Sequence, residues 1–170
     1  MSDKPLRIIG LDPGLRHTGW GVITLTGSQL RPIAAGVIDI PEKLTLAERL
    51  KNLHNELQII LQQMQPDHAA VEETFSNMNA QSTLKLGMAR GIVMAAPALY
   101  GIPVYEYAAN AVKKTVVGTG HAAKDQIQTM IRVLLPAIKV DSVDANDALA
   151  VAICHAHHWP MIQRNAGGTV

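Results

Sequence analysis

The apolar residues of this chain change period at Thr45, and that change restricts the fold more than any other feature. Before it, three β-rich runs follow one another: Leu6 to Asp12, His17 to Leu25 and Pro32 to Ile40. Pro13-Gly14 turns the chain after the first run, and Thr26-Gly27-Ser28 splits the next two. Connections this short predict an antiparallel meander. After Thr45, Leu46, Leu50, Leu53, Leu57, Ile60, Leu61 and Met64 recur at helical spacing and form one apolar helix face. Glu42 or Thr45 can cap this helix, and Gln65-Pro66 ends it. His68 to Thr74 reads as a buried strand. Asn79 or Ser82 opens a second helix towards Pro97 or Gly101, and Val104 to Tyr107 is a fifth strand. Ala122 or Ala123 to Leu135 is a third helix, stopped by Pro136, and Asp144 to His158 a fourth, stopped by Pro160. The expected result is one α/β domain over residues 1–160. It holds a mixed five-stranded sheet, the first three strands antiparallel, flanked by helices. Residues 161–170 are polar and Gly-rich and read as a flexible tail.

Composition closes off several alternatives. The 170 residues are 48% hydrophobic and 17% charged, the balance of a globular chain rather than a disordered one. Cys154 is the only cysteine, so neither an intramolecular disulfide nor a thiolate-based zinc site is available. A reducing compartment fits, and the cytoplasm is expected. The opening MSDKPLRIIGLD has no long apolar run after its charges and does not read as a signal peptide. Gly91 to Val104, the most apolar stretch, is too short to span a bilayer and contains Pro97 and Pro103. The net charge of +1 hides an uneven distribution. Lys85 to Lys139 holds seven bases against Glu106 and Asp125, whereas Val140 to Trp159 holds three acids and no Lys or Arg. A basic middle beside acidic clusters suits a protein that holds a polyanion near bound metal, although ordinary surface charge gives the same counts.

Four carboxylates carry the chemistry. Asp12 follows Ile8, Ile9 and Leu11, and Glu72 follows Ala69, Ala70 and Val71, each near the carboxyl end of an apolar strand. Sites in crossover α/β sheets form outside those ends. A carboxylate there is costly unless paired, and the nearby sequence offers little beyond Arg16. Asp144 and Asp147, three residues apart near a helix start, project from one face where the helix dipole favours negative charge. A helix packed on the sheet can bring all four together, and hard, oxygen-liking Mg²⁺ or Mn²⁺ would relieve their repulsion. Two such ions about 3.5–4 Å apart can clamp a scissile phosphodiester. The plainer reading makes Asp144 or Asp147 a first-turn or capping acid. Alternation places Glu73 on the face opposite Glu72.

The motifs resemble those of a known family. Ile9-Gly10-Leu11-Asp12-Pro13-Gly14, then Thr18-Gly19-Trp20-Gly21, resembles the opening of the RuvC family of Holliday junction resolvases. Val71 to Phe75, Leu84 to Gly91, Val112 to Gly118 and Asp144 to Ala150 continue the match in the family's order, over roughly residues 6 to 158. The resemblance implies a ribonuclease H-like fold and a homodimeric endonuclease that cuts four-way DNA junctions symmetrically, leaving 5′-phosphate and 3′-hydroxyl ends. It places the catalytic and metal-binding acids on Asp12, Glu72, Asp144 and Asp147, with Mg²⁺, or Mn²⁺ in its place, expected as two ions per site. It also implies work with the RuvA–RuvB branch-migration complex. Asn146, Ala123 and Cys154 depart from the commonest pattern, and none removes a ligand.

For DNA contact the resemblance points to Lys113 and Lys124, with Arg16 and Arg90 as further phosphate contacts. Phe75, the only Phe, is expected to stack on a base. A solvated lysine and a core phenylalanine are the bland alternatives. Gly87, Gly91 and Ala95 fall four apart in the second helix and let another helix approach, and the family's dimer interface is expected there. His155, His157 and His158 read as ordinary helix residues. His157 is ten residues beyond Asp147, about 15 Å away at ~1.5 Å per residue. Three rivals remain. An actin-like ATPase needs a second domain that 170 residues cannot hold. The others are a non-catalytic junction-binding protein and a ribonuclease H-like nuclease acting on another nucleic acid.

Overall fold

The computed structural model describes residues 4–73, 79–120 and 123–166, the side chains of residues 124 and 166 excepted. In chain order the elements are β1 (Leu6–Asp12), β2 (His17–Thr26), β3 (Gln29–Asp39), α1 (Leu46–Met64), β4 (His68–Glu73), α2 (Ala80–Leu99), β5 (Val104–Ala108), α3 (Ala109–Val117), α4 (Lys124–Leu134) and α5 (Val143–Ala166). The strands form one five-stranded sheet in the order β3-β2-β1-β4-β5. β1, β2 and β3 pair antiparallel, and β4 and β5 join parallel to β1. This is the mixed sheet with an antiparallel opening that the sequence predicted. Among the described residues no helix is long and apolar enough to cross a membrane.

Alternation along the central strands divides the core in two. Ile8, Ile23 and Ala70 face Val112, Val116, Ile127, Ile131 and the buried side of α5. Ile9, Leu11, Val22, Ala69 and Val71 face Leu53, Leu57, Ala89 and Val93 of α1 and α2. Thr45 caps α1 as predicted: its hydroxyl accepts from the Glu48 N–H at 3.3 Å, and its own N–H donates to the Glu48 carboxylate at 2.8 Å.

Three elements differ from expectation. β3 starts at Gln29, not at Pro32. As an edge strand it tolerates Pro32, which sits where the β2–β3 register shifts. α3 was not expected. Its N-cap residue, Ala108, offers no side-chain cap, and Val112, Thr115, Val116 and Val117 are β-branched residues that weaken a helical reading. α5 runs through Pro160 to Ala166. Proline removes one amide donor, but the turn before it is fixed: Trp159 packs on His68 with ring centroids 4.3 Å apart.

α5 lies with its backbone almost against the sheet. Ala145, Ala148, Leu149, Ala152, Ile153 and His155 are fully buried. The strands meet them with glycines, Gly10 paired with Gly21 across β1 and β2, and Gly19 paired with Asp12. A Cβ on Gly10 would stand 2.7 Å from the Ala152 nitrogen and collide with the Ala148 carbonyl, and one on Gly19 would strike the Asp144 carbonyl. Neither obstacle is a side-chain tip that can swing aside. Gly10→Ala should therefore destabilise the protein by about 3 kcal/mol or more, read as a lowered midpoint in urea unfolding. An unchanged midpoint would mean that α5 can lift off the sheet freely.

Candidate active site

β1 and β4 run parallel with Leu11 opposite Val71, and the next residue on each strand is a carboxylate, Asp12 and Glu72. Asp12 and Glu72 share the parity of Ile8 and Ala70, so both face the α5 side of the sheet. Glu73 has the parity of Val71 and takes the other side, as expected. α5 supplies the other acids. Its first turn sits over Gly19, the β2 partner of Asp12, which brings the Asp144 backbone directly beside the end of β1. Asp147 follows less than one turn later.

The four acids share one electrostatic environment. Asp12, Glu72 and Asp147 line a cleft of about 300 Å³ with Lys113 and Ile127. Burial pushes the Asp12 carboxyl up from an ordinary 3.8 to about 8, and the negative charges of Glu72, Asp147 and Asp144 push it the same way. A hydrogen bond with Glu72 pushes it further in that direction. Among the described residues no three His, Cys, Asp or Glu side chains group as ligands of one ion, so the acids line a cleft without closing a cage. The donor set is all carboxylate oxygen and the cleft holds excess negative charge. Both properties fit Mg²⁺, which keeps several waters and takes only one or two protein carboxylates together with substrate phosphate.

The turn after Asp12 is tied down from several sides. The buried Thr18 hydroxyl donates to the Gly14 carbonyl at 2.6 Å and accepts from the Gly14 N–H at 3.2 Å. Arg49 of α1 donates to the Leu15 carbonyl at 3.1 Å, and the Ile40 N–H donates to the Arg16 carbonyl at 2.9 Å. Sequence reasoning gave Thr18 and Arg49 no role. Threonine is a common strand residue, and the reach from α1 to this turn is visible only in three dimensions. Asn146 is buried and faces away from the cleft: its amide donates to the Val140 and Ser142 carbonyls, at 3.1 and 2.7 Å. It fastens the chain leading into α5.

The other predicted residues are dispersed. Lys113 enters the cleft because α3 exists; Gly118, with φ of 86° and its N–H bonded to Lys114, is the sequence signal for that helix's end. Arg16 is exposed in the turn and pairs with Glu42 at 3.2 Å. Arg90 is half-buried and pairs with Glu106 of β5. Phe75 and the Lys124 side chain lie outside the described residues. Gly87, Gly91 and Ala95 form an exposed stripe on α2, with open space above both glycines.

His157, near the end of α5, is exposed as an ordinary helix residue would be, but His155 is not ordinary. His155 is fully buried, 3.0 Å from His68 and 2.8 Å from the Tyr107 hydroxyl, among the rings of Tyr105 and Trp159. His68 opens β4, so this cluster lies at the opposite end of that strand from Glu72. Burial, then the neighbouring His68 and His158, pushes His155 down to about 3.

Comparisons with known proteins point to one family. A family model described as crossover junction endodeoxyribonuclease RuvC matches residues 8–155. The crossover junction endodeoxyribonuclease RuvC of Xanthobacter autotrophicus is 58% identical over 158 residues, 93% of this chain and 94% of its own. That of Azorhizobium caulinodans is 59% identical over 158 residues, with the same two coverages of 93% and 94%. The structure of T. thermophilus RuvC in complex with Holliday junction substrate is 32% identical, with a TM-score of 0.85 over 92% of this chain and 96% of that one. The yeast mitochondrial Holliday junction resolvase Ydc2, 12% identical with a TM-score of 0.68 over 94% of this chain and 81% of its own, shares the fold.

Two titrations test the site and the histidine cluster. Asp12 is protonated more readily folded than unfolded, so the stability it contributes is present below about 3.8 and is lost as pH rises to about 8. In EDTA, Asp12→Asn should therefore be more stable than the parent protein at pH 8, with the gap closing towards pH 4 in urea unfolding. His155 has the opposite sign: it resists protonation when folded, so stability is lost as pH falls from about 6.5 towards 3. Nitrogen NMR of ring-labelled protein at pH 5 should find His155 neutral. A charged ring there would refute the buried hydrogen-bonded cluster.

Proposed function

Because the chain belongs to the RuvC family of crossover junction endodeoxyribonucleases, we propose that its carboxylate-lined cleft is where the phosphodiester of a four-way junction is cut. The protein is an endonuclease that resolves Holliday junctions in recombination and repair. The observation that carries the assignment of the site is the convergence on Asp12: three further carboxylates raise its proton affinity, and Lys113 lies in the same cleft.

Asp12, Glu72, Asp144 and Asp147 would hold Mg²⁺, with Mn²⁺ as a substitute and two ions to a site. Bound there, the ions would supply an acidified water as nucleophile and positive charge to offset the leaving oxygen. Because burial and the neighbouring acids raise the proton affinity of Asp12, cation binding there would compete with protonation. Lys113 holds its ammonium beside the scissile phosphate and offsets charge that grows in the transition state. The buried sheet beneath the acids fixes two of them on rigid strands, so the phosphate meets an ordered arrangement. Lys124, Phe75 and Arg16 would extend the contact along the DNA. Arg90, paired with Glu106, is a further proposed phosphate contact.

The exposed α2 stripe is the proposed dimer interface. Leu84 is 62% and Met88 40% exposed, and both border Gly87 and Gly91. A two-fold axis there would give a pair of equivalent clefts, one for each strand to be cut. The RuvA–RuvB complex is the proposed partner on the junction, and the cytoplasm the proposed compartment.

Purified protein should nick a synthetic four-way junction at symmetric positions in Mg²⁺ and not in EDTA. Asp12→Asn should reduce cutting to background and leave junction binding within about threefold. Leu84→Glu should yield monomers by light scattering and uncouple the two nicks. Equal cutting of linear duplex, or cutting that survives Asp12→Asn, would overturn the assignment.

A further inference from the structure

We propose that Thr18 is a positioning residue for catalysis: its buried hydroxyl fixes the Asp12-Pro13-Gly14 turn and so holds the Asp12 carboxylate where a divalent cation takes it. This rests on the four-carboxylate reading of the cleft. Thr18 does not touch the cleft. Gly19 and Gly21 of β2 lie against α5, whereas Thr18 has the parity of Trp20 and Val22 and points to the other side of the sheet. Its effect therefore travels through the backbone.

The hydroxyl makes two bonds to one residue. It donates to the Gly14 carbonyl at 2.6 Å and accepts from the Gly14 N–H at 3.2 Å, and it is wholly excluded from water. Both backbone groups of Gly14 are thereby satisfied, two residues beyond Asp12. The turn is too tight for a side chain, since a Cβ on Gly14 would strike the His17 carbonyl. Asp12 needs such an anchor. It is the last residue of β1, and the chain turns directly after it at Pro13-Gly14. Asp12 pairs with Gly19 on one side, and Thr18 is the residue before Gly19, so one short piece of β2 holds the end of β1 and the turn that leaves it. Arg49 and the Ile40 N–H hold the outer part of the same turn, at Leu15 and Arg16. Without the hydroxyl the outer supports remain, and the segment nearest Asp12 is loosened.

The test uses the full chain and Mn²⁺ as the probe. Thr18→Val keeps the shape and removes the hydroxyl, Thr18→Ser restores the hydroxyl without the methyl, and Thr18→Cys replaces it with a weak hydrogen-bonding group. Mn²⁺ affinity without DNA is read by electron paramagnetic resonance, and kcat and KM for a four-way junction are measured at saturating metal. Thr18→Val and Thr18→Cys should bind Mn²⁺ about tenfold more weakly and lower kcat about tenfold, with KM within twofold, and Thr18→Ser should recover both. If Thr18→Val does not fold, the Cys and Ser pair carries the same comparison. Parent-like Mn²⁺ affinity in Thr18→Val or Thr18→Cys, or an equal loss in Thr18→Ser, would overturn the proposal. If Asp12→Asn leaves Mn²⁺ affinity unchanged, the four-carboxylate reading itself fails, which is a separate outcome.

Discussion

The contact on which this structure depends is backbone against backbone, where α5 meets the glycines of β1 and β2. Helices usually stand on sheets through layers of side chains. Here Gly10 and Gly19 remove that layer and the alanines of α5 remove its counterpart, while Gly21 makes room for the Leu149 side chain. The benefit is dense packing with little freedom to slide. The same contact sets the chemistry, since the turn of α5 over Gly19 carries Asp144, and Gly19 is the register partner of Asp12. Fold and site are thus joined by one interface.

That interface leaves an anionic cleft which is unfavourable by itself. Burial and the neighbouring acids raise the proton affinity of Asp12. The fold tolerates this because the surrounding elements are held independently. The Pro13–Arg16 turn is fastened by Thr18, Arg49 and Ile40, the chain entering α5 is fastened by Asn146, and the far end of α5 is anchored by His155 and Trp159. Stability is supplied at some distance from the acids.

Much of this was legible in the sequence because it depends on local pattern. Asp12 and Glu72 each follow apolar residues at a strand end, and Asp144 and Asp147 have the i, i+3 spacing of one helix face. Those facts place each acid on its element, and the parity of the strands places two of them on one side. What was not legible depends on contacts between elements. α3 lacks a cap at Ala108 and is rich in β-branched residues, so only tertiary packing of Val112 and Val116 shows it to be a helix. Pro160 promised a helix end, and Trp159 on His68 overrode it. The ion pair of Arg90 with Glu106 joins two different elements, so the sequence did not show it. The family resemblance supplied the substrate, which no residue pattern here contains.

The glycine seat under α5 has one more consequence. Turning a helix by a single residue rotates it about 100°, and sliding it by one residue moves it about 1.5 Å. Either shift would drive the helix backbone into strand atoms that have nowhere to go. Asp144 on its first turn, and Asp147 just beyond it, are thus locked in azimuth and height before any nucleic acid arrives, and a rigid anvil of this kind does not adapt to its workpiece. A substrate phosphate would therefore meet helix acids whose spacing from the sheet is set in advance.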